Sequence, residues 1–230
     1  QSGALLLGGA AAAVLGGWLF VRRQHRLEDP LLTFEIFRSR MFTGGVLAAV
    51  GGMFVLAGVE LMTTQKLQLI DELTPLAAGA TVAVMAAAAI PASALGGAYL
   101  HAVGFLPLIA GGFAGAAVGA GVLVAGGTWI GLVLLGLSAG SVMSVSSIAI
   151  IGSAPMHRSG MAAGVEEVSY ELGTLVTVAL TGSLLQAGLD RGVEYTVAYN
   201  SVIAVLGMAA AAFCVATSVC FRGNPKSGGA

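Results

Sequence analysis

Apolar residues in this chain fall into long runs, and the polar positions gather into short segments between them. A run of about 18 or more apolar residues with few charges has the length of a bilayer-spanning helix. Seven windows qualify, at 4–21, 42–64, 75–98, 103–124, 128–151, 160–186 and 197–221. Lipid offers no hydrogen bonds to the backbone, so each window is expected to be helical and to satisfy its own amides.

Several positions refine these windows. Thr74-Pro75 reads as an N-cap followed by proline at the first helical position of the third span. Pro91 lies inside that span, where it frees a carbonyl and bends the helix. Gly111, Gly115 and Gly119 in the fourth span, and Gly136, Gly140 and Ser144 in the fifth, recur every four residues. Such ridges of small side chains let helix backbones approach closely.

The sixth window breaks the apolar pattern with three carboxylates, Glu166, Glu167 and Glu171. A charged side chain near the bilayer centre costs a few kcal/mol, so an acid there marks a site. Counted from Gly160 at about 1.5 Å per residue, Glu166 and Glu167 lie roughly 10 Å in and Glu171 roughly 16 Å in. Glu167 and Glu171 share a face, and Glu166 lies about 100° round the helix. Tyr170 stands beside them as a hydrogen-bond or cation–π partner. Glu60, near the end of the second span, is a further candidate. It reads either as part of a transport path or as an interfacial carboxylate paired with Lys66.

Composition supports a polytopic membrane protein. The 230 residues are 57% hydrophobic and only 9% charged. Net charge is −1, which excludes a nucleic-acid binder built on a basic patch. Cys214 and Cys220 are six apart on one apolar helix and are read as packing residues. His25, His101 and His157 fall in expected loops, leaving Ser138, Ser141, Ser144, Ser146 and Ser147 of the fifth span without a base. Neither an enzyme, a metal site nor a bound cofactor is expected. The absence of an initiator Met, and of a basic segment before the first window, suggests part of a longer protein and not a signal peptide.

Basic residues accumulate in cytoplasmic loops. With the first span running outside to inside, Arg22, Arg23, Arg26, Arg38, Arg40, Arg158, Arg222 and Lys226 fall inside, and only Lys66 and Arg191 outside. The N-terminus is then outside and the C-terminus cytoplasmic. In the loop over 22–41, the LTFEIF stretch reads as a solvated segment or a short amphipathic helix on the membrane surface.

The stretch APMHRSGMAAGVEEVSYELGTLVTVALTGSLL resembles the penultimate-helix region of the fourteen-helix drug:proton antiporters of the major facilitator superfamily. DPLLTFEIFRSRMFTGGVL is similar to the cytoplasmic approach to that family's ninth helix, and LQLIDELTPLAAGA to the start of its tenth. The resemblance covers residues 28–190. It implies an all-α membrane protein of seven transmembrane helices. Residues 1–21 would be an extra helix between two bundles, 22–41 a cytoplasmic loop, and 222–230 a cytoplasmic tail. Residues 42–221 would form a C-terminal bundle of two inverted three-helix repeats. Two features depart from the family. Gly97 to Leu106 keeps the glycine spacing of its G-x3-D-R-x-G-R-R loop without the Asp or any Arg, and Ala187–Tyr195 is short for its loop.

The resemblance also implies part of a plasma-membrane efflux transporter that exchanges lipophilic cationic drugs for protons and works with a missing N-terminal half. The sixth span suits this chemistry. An ionised acid attracts a cation, whereas desolvation favours uptake of a proton. Glu167 and Glu171 are the leading proton-coupling or substrate-binding pair, with Glu166, Tyr170 and Glu60 as further candidates. A proton-coupled uptake permease and a non-transporting seven-helix protein are the alternatives. A retinal-type pigment is excluded, because both lysines lie outside the spans.

Overall fold

The structure is a computed structural model that describes residues 2–24, 26 and 34–222. Seven α-helices are present among them: α1 (Ser2–Gln24), α2 (Arg40–Leu69), α3 (Pro75–Val103), α4 (Phe105–Val124), α5 (Thr128–Gly152), α6 (Ser159–Asp190) and α7 (Tyr195–Phe221). The chain divides into two compact units, one containing α1 and the other α2 to α7. Helices α2 to α7 are each long and apolar enough to cross a membrane. In α1, a single helix by itself, the Arg22 guanidinium lies over the Trp18 ring, 5.1 Å from its centre.

Local chemistry sets the boundaries. Ser39 caps α2 by accepting a hydrogen bond from the Phe42 amide at 3.4 Å. Thr74 caps α3 in the same way, accepting from the Ala77 amide at 3.3 Å, with Pro75 following as expected. Between α3 and α4 the chain reverses at a single residue, Gly104, whose φ of 88° strains any residue with a Cβ. Its amide donates to the Leu100 carbonyl at 2.8 Å and closes the turn. The second glycine of the spacing kept in this loop, Gly104, therefore has a backbone reason that does not need the missing Asp and Arg.

The packing of the six helices is symmetric. Helix α2 packs on α5, α6 and α7, α5 packs on α2, α3 and α4, and α4 packs on α7. Exchanging α2–α4 with α5–α7 maps this pattern onto itself. Short connections make successive spans antiparallel, so α2 and α5 run in opposite directions and the two triplets form an inverted repeat. The buried core runs through this centre and includes Phe42, Val59, Met62, Ile109, Phe113, Leu132, Leu135, Val142 and Ile203.

Glycine and alanine bring the helices together. A Cβ on Gly136 or Gly140 would run into the Met85 or Ala89 carbonyl oxygen of α3, so this seam is backbone against backbone. In α4, Gly115 and Gly119 face α5 as expected. Gly111 does not. The residue that packs there is Gly112, against Val142, whereas Gly111 faces open space. A strict four-residue spacing drifts round a helix of 3.6 residues per turn, which carries Gly111 off the seam.

Other sequence expectations shift in detail. Helix α2 continues to Leu69, and α6 continues to Asp190. Polar residues end an apolar window without ending the backbone ladder, and Gln186 holds the last turn of α6 by donating to Asp190 at 2.7 Å. The expected loop over Ala187–Tyr195 therefore shrinks to residues 191–194. His101 lies in the last turn of α3 and His157 in a short 3-10 helix, Met156–Arg158, instead of open loops. His25 and Lys226 lie outside the described residues, as does the start of the LTFEIF stretch. Its remainder belongs to a 3-10 helix, Phe34–Arg38.

Candidate functional site

Helix α6 has one side cut for packing. Ala162, Ser169, Gly173, Thr177, Thr181 and Leu185 are buried in it. At the centre, a Cβ on Gly173 would strike the Val50 carbonyl oxygen and crowd the Phe54 amide of α2. Ser169 donates to the Val165 carbonyl at 2.6 Å and Thr181 to the Thr177 carbonyl at 2.7 Å, so their hydroxyls are satisfied within the helix. The Thr177 hydroxyl is buried and has no hydrogen-bond partner among the described residues. Sequence reading passed over this row, although the i, i+4 recurrence from Ser169 to Leu185 carries the signal.

The three acids divide between two environments. Glu166 lies next to the packed side and is half-buried. The Tyr170 hydroxyl, one turn on, donates to Glu166 Oε1 at 2.7 Å. Thr174 continues the chain of bonds by donating to the Tyr170 carbonyl at 3.1 Å. Glu167 and Glu171 are exposed, four residues apart on the same face. Val168 and Leu172, about 100° further round, form a separate exposed apolar strip. No Lys, Arg or His lies between Ser159 and Asp190, so α6 supplies its acids with no base of its own.

Helix α5 packs on α6 and carries Ser146. Ser146 is wholly buried, and its hydroxyl donates to the Met143 carbonyl at 2.9 Å. This residue belongs to the expected serine stripe. Glu60 is exposed on α2. Lys66 is engaged elsewhere, in a 2.9 Å ion pair with Asp71, so the expected pairing of Glu60 with Lys66 is not formed. The turn after α2 folds Asp71 back onto Lys66, and a five-residue separation across that turn is shorter for the side chains than a path along the helix. Beyond Glu60, Thr63 and Tyr199 share a buried hydrogen bond at 3.4 Å that ties α2 to α7.

A void between α2, α4 and α5 measures about 10 Å³ and is lined by Gly52, Val55, Phe113, Leu135 and Ser138 among others. It has room for one water at most, and no carboxylate reaches it. The carboxylates instead sit on an open face of the bundle. Among the described residues, no cluster of His, Cys, Asp or Glu is arranged to hold a metal ion.

The acids thus stand together on one helix of a bundle built as an inverted repeat. Several known proteins are similar to this chain. The chain is 32% identical over 200 residues to the methyl viologen resistance protein SmvA of Salmonella typhimurium, covering 84% of this chain and 38% of that protein. This chain belongs to the multidrug efflux pumps of the major facilitator superfamily. It is 33% identical over 199 residues to the multidrug efflux pump LfrA of Mycolicibacterium smegmatis, covering 80% of this chain and 38% of that one. With the drug efflux pump JefA of Mycobacterium tuberculosis the figures are 30% over 206 residues, 85% and 39%. The chain thus spans under two-fifths of the length of these relatives, an extent that fits a C-terminal half. No protein-family model matches it.

Proposed function

We propose that this chain is part of a proton-coupled transporter that exports lipophilic cations across the plasma membrane by alternating access. The observation that carries the reading is the placement of Glu167 and Glu171, exposed together on a base-free helix. An organic cation and a proton compete for such carboxylates, because each neutralises the same charge. Binding of one releases the other, which is the exchange an antiporter requires. The bilayer supplies the low dielectric that makes the competition strong. Methyl viologen, which gives one relative its name, is an organic dication.

In this reading the exposed face of α6 lines a path shared with a second, N-terminal bundle, and the two bundles rock about the acids. The N-terminus of α1 is outside and the end of α7 is cytoplasmic, following the excess of Arg at that end. Glu166, held by Tyr170, is a fixed neighbour of the exchanging pair, and Glu60 lies further along the same route.

The test is efflux of a fluorescent lipophilic cation from vesicles containing the complete protein as its gene encodes it. Glu167→Gln and Glu171→Gln are each expected to lower efflux driven by a pH gradient at least tenfold. Efflux that keeps its rate and its pH dependence in both variants removes the assignment. Reconstituted alone, the 230-residue chain is expected to show no drug-for-proton exchange.

A further inference from the structure

The two ends of the six-helix unit treat their bases differently. At one end Lys66 is neutralised by Asp71 at 2.9 Å. At the other, Arg38, Arg40 and Arg222 are all exposed, and none of them forms an ion pair among the described residues. Glu35, the acid on the short 3-10 helix that ends at Arg38, does not pair with them either. Arg40 also opens α2, whose first turn contains no acid. A cation is disfavoured at a helix N-terminus, and no side chain of that turn offsets its charge.

Packing brings the three bases to one place. A Cβ on Gly44 would lie 2.8 Å from the Phe221 ring and 3.2 Å from Cys220 Cβ, so the start of α2 touches the end of α7. Arg40 lies about 6 Å beyond Gly44 along one helix axis, and Arg222 about 3 Å beyond Cys220 along the other. Arg38 is placed by the residue before it. Thr43 of α2 donates to the Phe37 carbonyl at 2.7 Å, and the Phe37 ring meets the Phe42 ring edge-on at 5.1 Å. Arginine side chains reach a shared anion from such positions, and a guanidinium engages phosphate oxygens two at a time.

The surface below the bases is apolar. Met208, Val215, Val219 and Arg222 follow one another at seven, four and three residues and share one face of α7. The first three are 63% to 66% exposed. A soluble anion has no use for that face, whereas a phospholipid has an acyl chain to lay along it and a phosphate to place at its end. We propose that the start of α2 and the end of α7 bind an anionic glycerophospholipid, its phosphodiester held by Arg38, Arg40 and Arg222 and an acyl chain lying along Val219 and Val215. Basic pockets between transmembrane helices recognise such headgroups, and anionic lipids enrich the cytoplasmic leaflet, the side to which the excess of Arg assigns this end. The bound lipid clamps the entry of α2 to the exit of α7 at the membrane surface. The site needs the bundle to lie in a bilayer and does not depend on what the transporter carries.

The test is native mass spectrometry of the complete protein released from micelles that hold phosphatidylglycerol and phosphatidylcholine in equal amounts. Each Arg near a headgroup favours an anionic lipid about fivefold. Arg40→Gln and Arg222→Gln are each expected to lower the ratio of bound phosphatidylglycerol to bound phosphatidylcholine by about that factor, and Lys66→Gln to leave it unchanged. Both arginines are exposed, so neither substitution removes a packing contact, and Arg40→Lys and Arg222→Lys, which keep the charge, are expected to retain most of the preference. An unchanged ratio in both Gln variants overturns the site, as does an equal fall in Lys66→Gln. Displacement of the bound lipid by excess inorganic phosphate would mean a soluble-anion site and overturn the lipid as its occupant.

Discussion

Gly173 sets how closely α6 approaches α2, and hence where the acids stand. An added methyl would meet the Val50 carbonyl oxygen, the Phe54 amide at 3.0 Å and Met53 Cβ at 3.2 Å. Two of these are backbone atoms, which yield only if a whole helix moves. Overpacking of this kind costs about 1–3 kcal/mol. Gly173→Ala is therefore expected to lower the unfolding temperature of the detergent-solubilised protein by several degrees, whereas Gly182→Ala, on the same helix in open space, leaves it unchanged. Thr177 makes the opposite case. Its buried hydroxyl has no partner, so Thr177→Val, nearly the same shape without the polar atom, is expected to be neutral or to raise the unfolding temperature. A fall of several degrees would mean that the hydroxyl is bonded after all. At this scale the sequence showed that acids occupy the sixth span, but a bare row of letters does not distinguish Glu166, tied to Tyr170, from the untied Glu167 and Glu171.

Helix α6 presents its exposed surface as two strips with different solvents. Ala163, Glu167, Glu171 and Val178 lie on the acidic strip, and Val168 and Leu172, each about 100° round from the acid before it, on the apolar one. A path for cations requires water along the first strip only. Single cysteines at positions 163 and 178 of the complete protein are expected to react with a small cationic thiol reagent, and those at 168 and 172 are not. Equal reactivity on both strips would contradict a one-sided path. Helix α3 shows how far element-level reading reaches. Its N-cap at Thr74-Pro75 follows from sequence because capping involves residues only three apart. Its contact with α5 through the Met85 and Ala89 carbonyls does not, since that depends on where a distant helix lies.

The six-helix unit places the starts of α2, α4 and α6 at one end with the finishes of α3, α5 and α7. Arg40, Arg158 and Arg222 mark that end, and Lys66 and Arg191 mark the other. With the positive-inside bias, cysteines introduced at Glu72 or Glu194 are expected to be labelled by an impermeant maleimide added to whole cells. A cysteine at Ser153 is expected to react only after the membrane is opened. The reverse pattern would invert the orientation and put the acids near the outer surface.

Sequence alone determined the number of helices, their approximate spans, the capped ends and the presence of base-free acids in α6. These follow from hydropathy and from interactions within one helical turn, where neighbours in the chain are neighbours in space. Only the tertiary structure decided that Gly112 and not Gly111 forms the seam, and that Lys66 pairs with Asp71 and not with Glu60. Each of those depends on the rotation or approach of elements packed at long range. A few degrees of helix phase or a single turn suffices to exchange one partner for another, and no local pattern records that phase.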